Sequence, residues 1–288
     1  MQKLNVKQNN SNVIKAFQVA LETGHRNLLD NPWFTVNQRG ASGTISTANQ
    51  FGADRWKKSG GSGRVIVGDG YFTPVGGGGY RQINPWNKII SGRTYTVSAM
   101  TADGNVYSAT GVLSSTTSGW QISSHLIPNS LWVGVQNNGG NLDIIFTGQN
   151  GDIQVIAVKL ELGSVSTLAN DAPPDYGEEL SKCQRYFLRI YGDPIGTGYI
   201  ASGLGTVFIL VPTGVTMRAK PTVSYSGAFS VRVQGSTISV SAMTFATPAH
   251  TGGGVGIVCT LSSNAGPVGA CAMYPNATTS YIDLSADL

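Results

Sequence analysis

Residues 130–162 read SLWVGVQNNGGNLDIIFTGQNGDIQVIAVKLEL, three β-rich runs separated by two glycine turns. The runs at 130–135, 143–147 and 153–162 are dense in Val, Ile, Leu, Phe and Trp, residues that suit a pleated, half-buried surface. The clusters at 137–140 and 149–151 supply Asn and Gly, which accept the positive φ that tight hairpin turns demand. The same grammar extends N-terminally through runs at 64–67 and 94–99 and glycine clusters at 59–63 and 76–79. Strands at this spacing predict a β-sandwich over residues 27–170. The glycines at 76–79 form neither a GxGxxG nor a GxxxxGK[ST] pattern and open no helix, so they are read as turn residues and not as a phosphate cradle.

Composition agrees. Of 288 residues 38 are Gly, and only 12% are charged against a usual share of roughly 25%. Apolar content at 41% is too high for a disordered tail, and the glycines lack the period of collagen. No apolar run approaches the roughly 20 residues that a membrane helix needs. The polar start MQKLNVKQNN has no apolar core of a secretory leader, which points to synthesis in a cytoplasm. Three cysteines, Cys183, Cys259 and Cys271, sit in neither a CxxC nor a Cys/His cluster and read as free buried thiols. The net charge of +4 is uneven: residues 1–66 hold nine Lys/Arg against three Asp/Glu. These cations are scattered, and no nucleic-acid partner is expected.

Three further segments flank or follow the sandwich. In residues 1–26, Val13, Ile14, Phe17, Ala20 and Leu21 share one helical face between Ser11 as cap and Gly24 as stop, predicting a short helix for attachment or trimerisation. In residues 171–190, Ala172-Pro173-Pro174 marks a boundary, and Asp175 with Glu178 forms a capping box. The helix that follows is expected to bury Leu180, Cys183 and Phe187. Residues 191–288 return to strands and predict a second small β-sandwich, with a hairpin that turns at Gly235-Ser236. Between residues 206 and 288 only Arg218, Lys220, Arg232, Asp283 and Asp287 carry charge. A lone soluble domain so neutral is poorly protected against association, which points to burial against sister chains in a homotrimer.

Several segments carry a family resemblance. NLLDNPWF (27–34) with NQRG (37–40), ADRW (53–56), YRQIN (80–84) and VKLELGSVST (158–167) resemble the landmarks of a carbohydrate-binding-module-like jelly-roll found in bacteriophage tail fibres. YGEELSKCQRYF (176–187) is similar to a linking helix of such fibres, and VTMRAKPTV (215–223) and YIDLSADL (281–288) to their C-terminal domain. The resemblance implies a homotrimeric receptor-binding protein with a jelly-roll and a distal β receptor-binding domain. Its partners would be other tail proteins, through the N-terminal segment, and a bacterial surface polysaccharide or lipopolysaccharide. It would be made in the host cytoplasm and end in the virion. A structural connector without a ligand, and a capsule or cell-wall hydrolase component, are the alternatives.

Sugars offer apolar C–H faces and rims of hydroxyls, which exposed aromatics and amides recognise. Trp86, in the turn-like Asn84-Pro85-Trp86-Asn87, is the aromatic platform expected in the module. Trp33, Trp56 and Trp132 read as core, and Trp120 is left open. In the distal domain Tyr225, Phe229, Phe245, His250 and Tyr274 lie at strand ends or turns, where recognition residues concentrate. No carboxylate pair, GxSxG motif or His-centred triad stands out, so no enzyme activity is expected. No Asp-rich ligand string is present, and neither a metal nor a cofactor is expected.

Overall fold

A computed structural model describes residues 26–200, 205–245, 254–263 and 268–287. The helix expected in residues 1–26 therefore lies almost wholly outside the described residues, as does His250. The described chain is mostly β with one α-helix, and it divides into two compact units that meet in sequence at Tyr176 and Gly177.

The first unit is built from β1 (Gly43–Ile45), β2 (Lys57–Lys58), β3 (Arg64–Gly68), β4 (Tyr71–Pro85), β5 (Arg93–Thr101), β6 (Val106–Leu113), β7 (Gly119–Ile127), β8 (Leu131–Asn138), β9 (Asn141–Asn150) and β10 (Val155–Leu162). They form one antiparallel sheet in the order β6-β5-β10-β4-β9-β8-β7, with β3 and β2 also on β4, and β1 on β3. A single register pair, Val155 with Phe72, joins β10 to β4, so the sheet folds there into two facing layers. One core lies between them. Val97, Ala99, Val158 and Leu160 come from one layer; Tyr80, Val133, Val135, Ile144 and Phe146 come from the other. Phe34, Trp56, Phe72, Tyr80 and Phe146 interlock with ring centroids 4.8–6.3 Å apart.

The quoted landmark segments converge on one buried network. Asp30 accepts from Arg55 Nε at 3.2 Å and Lys88 Nζ at 2.7 Å, and its backbone exchanges two hydrogen bonds with Gln82. Trp56 Nε1 donates to the carbonyls of Asp30 and Asn31. Asn27 ties to Val158 and Leu160 on β10. Lys159, fully buried, donates to Asp171 and Thr167, and Glu161 accepts twice from Thr167. Buried charges persist only when paired in this way.

The four glycines at 76–79, read from sequence as a turn, lie within β4. There β4 shifts register against β9 between Val75 and Gly78 and runs close beside β3. A Cβ on Gly78 would stand 1.9 Å from the carbonyl oxygen of Arg64, and one on Gly63 would stand 1.9 Å from the Gly78 nitrogen. Glycine serves close backbone approach at this point. Gly78→Ala is expected to cost about 3 kcal/mol or more, because backbone cannot step aside as a side chain can. Chemical denaturation would show it as a lowered midpoint.

The second unit opens with α1 (Tyr176–Gln184), which buries Glu179 and Cys183 and leaves Leu180 half-buried. Phe187, expected on the helix stripe, instead begins β11 (Phe187–Ile190), because the helix ends at Gln184 and the chain pairs with a later strand. Next come β12 (Gly196–Ile200), β13 (Thr206–Pro212), β14 (Thr222–Ser226), β15 (Phe229–Val233), β16 (Ser236–Phe245), β17 (Gly254–Leu261), β18 (Gly269–Pro275) and β19 (Tyr281–Ser285). The expected second sandwich is instead a closed six-stranded barrel, β12-β13-β17-β16-β15-β18, with a separate sheet β11-β19-β14. Closure removes the exposed edges that a small open sheet would leave. Val207, Ile209 and Val211 point inward with Val231, Val233, Ile257 and Met273. The predicted hairpin is β15–β16, turning at Gln234–Gly235, one residue earlier than expected; both have positive φ. Segments 176–187, 215–223 and 281–288 also meet: Arg218 N bonds Arg185 O at 2.7 Å, and Ala286 N bonds Tyr186 O at 2.6 Å.

Candidate functional site

Strand β8 places the site by its alternation. Leu131, Val133 and Val135 are fully buried in the core, so Trp132, Gly134 and Gln136 project from the opposite, outer face of the sheet. Across the ladders the same face carries Thr147, Ile145 and Asp143 from β9, then Gly79, Arg81 and Ile83 from β4. On the other side it carries His125, Ser123 and Trp120 from β7.

Two indoles dominate this face. Trp120 and Trp132 pack edge to face, centroids 5.1 Å apart at 86°, and Trp120 is 46% exposed. Gly134 makes room for them: its missing Cβ would lie 2.2 Å from Trp132 Cη2 and 2.4 Å from Trp120 Cζ3. Gly134→Ala is therefore expected to leave the chain folded, since indoles on an outer face can move, yet to break the pair. Near-ultraviolet circular dichroism would record the lost indole coupling.

Beside the indoles lies a polar patch. Asp143 is fully buried; its Oδ2 accepts from Gln136 Nε2 at 3.1 Å and Asn138 Nδ2 at 3.4 Å, with Arg81 Nη1 at 3.7 Å. Arg81 in turn donates to Asn49. Asp143 Oδ1 and Arg81 Nε are buried and have no partner among the described residues. Buried polar atoms without a partner cost about 1–3 kcal/mol each, and water or a ligand hydroxyl can complete them. At the other end of the indole pair opens a cleft of about 310 Å³, lined by Trp132, His125, Asn129, Gln149 and Asn150 among others. An aromatic wall beside two amide-rich flanks can hold a pyranose: the ring meets the C–H face, and the amides meet its hydroxyls.

The residues expected from sequence lie in several settings. Trp86 heads a single 3-10 turn (Trp86–Lys88) and packs half-buried against the first core, with its Nε1 buried and without a partner among the described residues. Phe229 is 1% exposed and belongs to the barrel core, with Tyr225 against its edge at 6.0 Å. Tyr225 itself is 40% exposed on β14. Tyr274 is half-buried, and the guanidinium of Arg232 lies 4.3 Å over its ring. Phe245 ends β16, and the described residues include its backbone alone. Among the described side chains of this set, Tyr225 and Phe229 are in ring contact. The indole face went unrecognised in sequence although period-2 alternation around Trp132 pointed outward: both neighbours, Leu131 and Val133, are core residues.

Candidate nucleophiles are muted. All three cysteines are buried and in no disulfide, and burial, with a smaller push from Cys271, raises the Cys259 thiol to about 12. Asp54 and Asp283 are bound to arginines, Arg39 and Arg189. Among the described residues no cluster of three His, Cys, Asp or Glu could hold a metal ion. The chain matches no protein-family model and no curated protein sequence.

Proposed function

We propose that this chain is the receptor-binding protein of a bacteriophage tail fibre, which recognises a bacterial surface polysaccharide or lipopolysaccharide during adsorption. The observation that carries the reading is the Trp120–Trp132 pair on the outer face of the first unit, flanked by an amide-lined cleft. A solvent-facing indole on a strand contributes nothing to the core beneath it, and it matches the C–H face of a sugar. The resemblance of the quoted segments, in order, to tail-fibre modules supplies the biological setting. Binding, not hydrolysis, is its role: the buried carboxylates Asp30, Asp54 and Glu161 are taken up in the framework of the fold.

The fibre is a homotrimer in this reading. On the barrel, Tyr199, Phe208 and Leu210 are 60%, 49% and 52% exposed on neighbouring strands, an apolar row that suits burial against sister copies. Three copies would multiply weak sugar contacts through high effective concentration. Residues 1–26 would join the fibre to other tail proteins, and the product would reside in the virion.

The test is adsorption of the purified, fluorescently labelled chain to host cells, with competition by the extracted surface polysaccharide. Saturable, competed binding by a species near three times 30.2 kDa is the expected result. A connector would bind no cells, and a hydrolase would release reducing sugar; either outcome contradicts the reading.

A further inference from the structure

The second unit contains a separate pocket of about 400 Å³. One wall is Tyr191, which is 56% exposed. Its ring is held from behind by a stack. Tyr281 meets it edge-on at 5.9 Å, and the Arg189 guanidinium lies 3.8 Å over Tyr281. Arg189 is itself fixed by two 2.8 Å hydrogen bonds to Asp283. A surface tyrosine does not need this much scaffolding to be soluble; an aromatic platform does.

The facing wall is the segment 276–280, pinned by Asn276 N to Ala228 O at 2.8 Å and Ser280 N to Ala277 O at 3.0 Å. Asn276 Oδ1 accepts from Ser230 Oγ at 2.8 Å, which leaves the Asn276 amide nitrogen without a partner among the described residues. Ser280 is 2% exposed, lines the pocket, and its Oγ is buried without a partner among the described residues. A buried hydroxyl left open calls for an external partner. Asp193 is the single charged residue of the lining, and the nearby Arg189 is already neutralised by Asp283.

We infer that this pocket is a second saccharide site, built for a neutral terminal sugar: C–H face on Tyr191, hydroxyls on Asn276, Ser280 and Asp193. The inference rests on the glycan-binding reading above and adds a site and a substrate class to it. With a lone carboxylate and no free cation in the lining, an acidic sugar would be repelled.

Amide chemical shifts of the full chain, titrated with the methyl glycosides of galactose, glucose and N-acetylglucosamine and with methyl glucuronide, provide the test. At least one neutral glycoside should shift the amides of Tyr191 and residues 276–280 saturably. Tyr191→Ala should weaken this about tenfold or more. Ser280→Ala, which removes no hydrogen bond within the protein, should weaken it about threefold to tenfold with an unchanged melting temperature. Trp132→Ala should leave it intact. Equal binding of the glucuronide overturns the neutral class. No shift at these amides, with Trp132-dependent glycan binding preserved, overturns the inference alone; loss of all saccharide binding overturns the glycan reading with it.

Discussion

On the proposed glycan-binding function, Trp132→Ala is expected to lower the affinity of the chain for a bacterial surface polysaccharide roughly ten- to hundredfold, the equivalent of about 1.5–3 kcal/mol for losing one large apolar contact. The effect is large because two losses coincide. The indole forms one wall of the 310 Å³ cleft, and it is the edge-to-face partner that orients Trp120. Stability should change little, since Trp132 projects from the sheet on the side away from the core. Trp120→Ala should weaken binding less: it removes contact area but leaves the cleft wall standing. Isothermal titration with extracted polysaccharide measures both, and unfolding curves that overlay the wild type would show that the variants fold.

The second large effect concerns stability. Asp30→Ala removes the carboxylate shared by Arg55 and Lys88 inside the first unit. Removing one partner of a buried ion pair costs about 3–5 kcal/mol, since the remaining charge stays desolvated. For a domain of this size that lowers the melting temperature by roughly 10 °C or more. A pH signature accompanies it. Burial pushes the Asp30 carboxyl up, but Lys88 and then Arg55 outweigh burial and hold it below its ordinary 3.8. A carboxyl depressed in the folded state stabilises fully above the unfolded value and loses that contribution as pH falls through the lower folded one. Wild-type stability should therefore drop more steeply below about pH 4 than that of Asp30→Asn. Calorimetry across that range checks the slope, and equal slopes would contradict the role assigned to Asp30.

Much of the fold was legible in residues 130–162, because hairpin turns and alternating runs are local signals. Gly139 and Gly140 do adopt the positive φ that a two-residue turn between β8 and β9 requires. The landmark segments were legible as landmarks, but their meaning was not: Asp30 reaches Arg55 across 25 positions and Gln82 across 52, and Asn27 reaches Leu160 across 133, as parts of one interior. Gly76–79 misled because glycine answers both for turns and for close strand approach, and only the neighbouring Arg64 backbone distinguishes them. Barrel closure was hidden for a similar reason. The pairing of β12 with β18 joins residues some seventy positions apart, and no local pattern encodes it.

The functional residues were the harder part. Trp86 resembled a platform because Pro and Asn flank it, yet the turn folds its ring onto the core. Trp132 resembled core because it stands in an apolar run, yet every second position of that run faces outward. Composition weighed more than phase in both cases. Tyr191 was missed because its support is assembled from Arg189, Tyr281 and Asp283, two of them some ninety positions away.

Titration of the purified chain with host surface polysaccharide, followed by tryptophan emission, tests the central claim most directly. Trp120 is the markedly exposed indole of the first unit, and its emission should shift blue and saturate as sugar displaces water from it. The Trp120→Phe, Trp132→Phe double variant should lose that response. Adsorption to host cells with wild-type indole emission unchanged would contradict the account.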